Sequence, residues 1–78
     1  MTTVAQYARQ TALEIRAAMR EHEVSYPGGD YASANRKLGA LVGRSESIIR
    51  AAGLWPDGRI ALGNEQRARL LDRIAEAS

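Results

Sequence analysis

The sequence predicts a single, mainly α-helical domain with one small β-hairpin in its second half. Three observations carry that prediction. Apolar residues recur at three- and four-residue spacings near both ends of the chain, the pattern of helices with one buried side. Gly and Pro cluster between those segments, at 27–29 and 56–58, and none interrupts residues 1–26. The length, 78 residues, is that of one domain spanning 1–78.

The first helix is predicted from Thr2 or Thr3, either of which can cap it, to about His22. Val4, Ala8, Ala12, Ile15 and Met19 form its apolar stripe. Leu13 falls on the far side, among Arg9, Arg16 and Arg20. Val24-Ser25-Tyr26 reads as a very short strand, and Pro27-Gly28-Gly29 breaks the chain. Asp30 is placed to cap a second helix that runs through Ala32, Leu38 and Leu41 to Val42 and ends at Gly43. A third helix fits Ser45 to Ala52, with Gly53 as its left-handed C-terminal cap. Leu54 to Leu62 reads as a hairpin around Pro56-Asp57-Gly58. Asn64 is placed to cap a last helix from Glu65 to near Ala77, with Ala68, Leu70, Leu71, Ile74 and Ala75 on its apolar side.

Composition narrows the function classes. The chain has no cysteine and one histidine, which excludes disulfides, thiolate metal sites and multi-histidine metal sites. The core is too small to hide a large substrate pocket. No catalytic constellation, cofactor motif or small-molecule site is visible, so no enzyme is expected. No apolar run approaches the ~18–20 residues of a membrane span. The opening MTTVAQYARQ lacks the basic-then-apolar order of a secretory signal. A cytoplasmic protein is expected, and Met1 with a single core fits a whole chain.

Eleven basic and nine acidic residues give a net charge of +2. Residues 1–29 and 60–78 each balance to zero. The excess lies in 30–59, where Arg36, Lys37, Arg44, Arg50 and Arg59 face Asp30, Glu46 and Asp57. Charge gathered in one segment points to one face or one motif.

Leu38-Gly39, Val42-Gly43-Arg44-Ser45 and Ile48-Ile49 lie in that segment. Two short helices crossing at a steep angle need a small residue at the approach, which Gly39 supplies, and a turn residue free to take positive φ, which Gly43 supplies. The second helix needs an N-cap, which Ser45 supplies. Leu38, Val42 and Ile49 supply facing apolar side chains.

This pattern resembles the helix-turn-helix of bacterial and phage DNA-binding regulators. It departs from the family at Gly39, where Ala is usual, and at Arg44, where an apolar residue is usual. With the hairpin as a wing and helices flanking at both ends, the resemblance implies a winged helix-turn-helix. A plain helical repressor-like domain with an irregular loop is the close alternative. The resemblance implies double-stranded DNA as partner and a recognition helix at 45–52. Ser45, Glu46, Ser47, Arg50 and Ala51 would then face base edges, with Arg50 suited to guanine. Arg36, Lys37, Arg44 and Arg59 would meet phosphates. One such helix reads about 4–5 base pairs, too few for a genome, so a homodimer is expected, with the Leu13 face or the last helix as its surface. The role would be that of a small transcriptional regulator.

Plainer readings stand beside these. Glu46 suits a helix-dipole role, and Trp55 suits a core anchor better than a base-stacking platform. A second function class is a protein-interaction module, such as a phage packaging, structural or inhibitor protein. The small net charge and Glu46 at the reading position favour it.

Overall fold

The computed structural model describes residues 3–25 and 31–77, with the side chains of 3–21 and 32–77. Its first helix, α1, begins on a reciprocal cap. Gln6 N–H donates to Thr3 Oγ1 at 3.1 Å, and Thr3 N–H donates to Gln6 Oε1 at 2.9 Å. From there α1 runs Val4–Ser25, about 33 Å. Ala8, Ala12 and Ile15 are buried as the stripe predicts, while Val4 is 66 % exposed. The expected strand at 24–26 is not formed, because Val24 and Ser25 continue α1. A lone β-branched residue costs a helix only tenths of a kcal/mol. Tyr26 and the expected cap Asp30 lie outside the described residues.

The second helix, α2, spans Tyr31–Ala51 without a break. This is the main departure from expectation. Gly43 does not turn the chain, and its φ is not positive. Ser45 does not cap a new helix. Its hydroxyl donates to the Val42 carbonyl at 2.8 Å, back along the same helix. The reason is visible in the burial pattern. Ala34, Leu38, Leu41, Ser45 and Ile49 form one inward stripe at helical spacing straight through position 43. Gly39 and Gly43 fall on the exposed side, and a Cβ at either would meet nothing within 4 Å. No close crossing requires them. They only weaken α2, by roughly 1 kcal/mol each against Ala.

At its end α2 behaves as predicted. Gly53 takes φ +74°, with Gly53 N–H on the Arg50 carbonyl and Leu54 N–H on the Ile49 carbonyl. The Pro56-Asp57-Gly58 turn also forms, with Gly58 at φ +78° and Arg59 N–H on the Pro56 carbonyl. Strands do not flank it. Trp55 Nε1 donates to the Arg59 carbonyl at 2.9 Å, taking an acceptor that a ladder would have used. So the segment is an irregular loop, and the wing is absent. Among the described residues there is no strand. Three helices joined by loops replace the expected winged helix-turn-helix, and the mainly helical class stands.

The third helix, α3, spans Asn64–Ala77. Gly63 N–H is capped by Gln66 Oε1 at 2.9 Å. Asn64, the expected cap, instead accepts from Arg67 Nη1 at 3.0 Å. Ala68, Leu71, Ile74 and Ala75 are buried as predicted.

α1 packs against both other helices, most extensively against α3. The core is thin. Ala8, Ala12, Ala18, Ala68 and Ala75 supply half of its buried cluster, with Ile15, Leu41, Ile49, Leu71 and Ile74. The molecule measures 39 × 33 × 15 Å, with a radius of gyration of 13.0 Å. A globule of this length would have about 11.5 Å. A slab one to two helices thick leaves apolar side chains on its faces.

Candidate interaction surface

The polar and charged residues expected to meet DNA are mostly engaged within the chain. Ser45 is fully buried. Arg50 is held twice: its Nη2 lies 3.0 Å from Glu46 Oε1, and its guanidinium stacks 4.2 Å from the centre of the Trp55 ring. Ser47 leans back onto the Gly43 carbonyl at 3.3 Å. Arg44 bonds Glu14 through Nη1 and lies 5.6 Å over the Tyr7 ring. Lys37 Nζ meets Glu21 Oε2 at 3.1 Å. Of the charged residues in this set, Arg36 and Arg59 lack an ion pair. With α2 unbroken, 45–52 is no separate reading helix, and its polar side chains are spent on neighbours.

Arg16 also departs from expectation. It leaves the Leu13 face and bonds Asp72 of α3 at 2.9 Å and 3.4 Å, with Glu65 at 3.7 Å. The hydrogen bond to Asp72 is the largest cause holding its guanidinium above its ordinary range, and burial opposes it. This links α1 to α3. Leu13 itself is 58 % exposed, on a shallow hollow with Gln6, Arg9 and Gln10.

A larger concavity lies elsewhere. Residues 44, 47, 48, 51 and 52 of α2 and its cap lie at i, i+3, i+4, i+7 and i+8, one continuous helix face. With Val4 and Tyr7 of α1 they line an open groove of about 500 Å³. The lining is apolar apart from Arg44 and the hydroxyls of Ser47 and Tyr7. Ala51 and Ala52 are exposed and small, so a backbone can approach closely there. Val4 and Ala52 also border a second hollow of about 400 Å³ with Leu54, Arg73, Ile74 and Ala77. The two hollows share that edge, so the apolar surface runs across the end of the slab.

The spacing of these α2 residues is legible in the sequence, but there Val4 counts toward the core stripe and Ala51 toward the base-reading face. What distinguishes them in the structure is that Val4 stays 66 % exposed and shares an open groove with the small side chains of Ala51 and Ala52.

No family model, curated protein or solved structure matches the chain. No helix among the described residues is long and apolar enough to cross a membrane.

Proposed function

We propose that this chain is a protein-interaction module that binds a partner along the groove between the start of α1 and the end of α2. One observation carries the reading: an i, i+3, i+4, i+7, i+8 face at the end of α2 lines an open groove beside Val4 and Tyr7, with Ser47, Ala51 and Ala52 exposed. That is the surface on which a further helix packs. The low compactness of the slab supports it. The test is a displayed library of 18-residue helical peptides with a fixed Leu stripe and randomised flanks. It is panned against wild type and against Ser47→Gln combined with Ala51→Gln, which fills the groove with neutral polar side chains. Peptides that bind wild type and lose the double variant support the reading. Peptides indifferent to the double variant, or no enrichment, refute it.

A second reading, duplex DNA held through its phosphates, is favoured by a different observation. The exposed Arg9, Arg20, Arg36, Arg59 and Arg73 have no ion pair, against two such exposed carboxylates, Asp57 and Glu76, among the described residues. Fluorescence anisotropy on a mixed-sequence duplex decides it. An affinity that falls with salt at a log–log slope of about −3 to −6 supports DNA, and no binding at low salt ends that reading.

A further inference from the structure

The groove and the neighbouring hollow form one trough with an uneven charge. Eleven of the described residues line it, and none of these is a carboxylate. Two are cations, Arg44 on the α2 side and Arg73 on the α3 side. The contrast with the next stretch of the same α1–α2 groove, which shares Arg44, is sharp. There Glu14 and Glu21 line a hollow of similar size together with Lys37 and Arg44, and the four charges neutralise one another in pairs. Arg73 has no such partner. Arg44 has one bond, through Nη1, and its remaining donors stay available with the side chain 36 % exposed.

We propose that the partner is an acidic amphipathic helix. It presents apolar side chains at i, i+3, i+4 and i+7 to Ile48, Ala51, Ala52 and Val4, and carboxylates on its flanks to Arg44 and Arg73. The inference rests on the groove being the binding surface, and it adds the partner's sign of charge. An occupant with cations on its flanks would set them against Arg73, which has no ion pair, and against Arg44, which Glu14 offsets through Nη1 alone. A neutral apolar helix would leave Arg73 unpaired at the edge of a newly dried surface. The small residues at 51 and 52 suit a helix, because close axial approach needs short side chains at the contact.

The same library tests it when Glu, Gln and Lys are supplied in equal amounts at the flanking positions. Two variants run beside wild type. Arg73→Gln removes one cation from an exposed site. Val4→Glu places a carboxylate in the trough at the first position of α1, whose first turn holds no acidic residue and where the helix dipole favours one, so the fold is kept. Thermal unfolding confirms that both fold. The expected result is enrichment of Glu over Gln by about 1.5- to 5-fold per flank, with Lys depleted. Val4→Glu should abolish or reverse that preference, and Arg73→Gln should reduce it. Equal enrichment of Glu, Gln and Lys, still lost in the Ser47→Gln, Ala51→Gln double variant, overturns the acidic partner and leaves the groove reading intact. Enrichment that ignores the double variant, or none, overturns both.

Discussion

Replacing Gly43 by Ala separates a continuous α2 from a broken one, because the two geometries give opposite signs. In the structure Gly43 lies in the middle of α2 on its exposed side. Its φ is not positive, and a Cβ there meets nothing within 4 Å. Ala then adds no clash and removes backbone freedom from the unfolded chain. The gain is about 0.5–1 kcal/mol. For a domain of this size 1 kcal/mol moves Tm by roughly 4–8 °C, so a rise of about 2–8 °C is expected. If Gly43 were the left-handed residue of a turn between two helices, Ala would be strained and Tm would fall. Thermal unfolding followed by circular dichroism at 222 nm, at equal protein concentration, reads the sign directly. A lower Tm with unchanged helicity of the folded state would refute the continuous helix and the groove built on its far end.

Other substitutions probe the same architecture. Gly53→Ala should cost about 1 kcal/mol in urea unfolding, because φ +74° is strained for a residue with a Cβ. Ser45→Ala should stay within about 0.5 kcal/mol of wild type, since the hydroxyl only doubles on a carbonyl inside α2; a loss of about 1 kcal/mol or more would mark an N-cap. Arg16→Gln should lower stability by at most about 1 kcal/mol, less so in 0.5 M salt, because the pair with Asp72 is partly exposed. Leu13→Glu should leave Tm unchanged and, if the Leu13 face joins two copies, convert a dimer to a monomer in sedimentation; an unchanged sedimentation coefficient removes that face as a dimer surface.

Local chemistry was legible wherever one residue decides the outcome. The Thr3 cap, the left-handed Gly53 and the Pro-Asp-Gly turn each follow from a side chain or a missing one acting on its own backbone. The apolar sides of α1 and α3 were legible because their stripes are long. Gly43 was not, because the same glycine serves a turn when the flanking segments bury different faces and is merely tolerated when they bury the same one. Leu38, Leu41, Ser45 and Ile49 settle it in favour of one face, and only if Ser45 counts as an inward residue. A serine carries no apolar signal, so the stripe looks interrupted exactly where a cap was sought. The hairpin failed for a related reason: Trp55 takes the Arg59 carbonyl with its side chain, which no strand propensity records. Arg67 was invisible as an inward residue too, although it is 7 % exposed and held by Asn64.

Unbroken helices also explain why a binding surface remains. A turn at Gly43 would have folded residues 45–52 back across the scaffold and covered their apolar side. A straight α2 instead carries Ile48, Ala51 and Ala52 out to the end of the slab, beside an α1 that starts at Val4. The core beneath holds five alanines among its ten buried residues, so it draws the helices close without giving them thickness. Each helix then meets its neighbours along one stripe, and α2 retains a second. Covering that second stripe would bury apolar surface worth about 25 cal/mol per Å². α1 meets only its edge, through Val4 and Tyr7, and leaves Ser47, Ala51 and Ala52 exposed. A partner helix can cover it, and the two arginines at its edges decide which one.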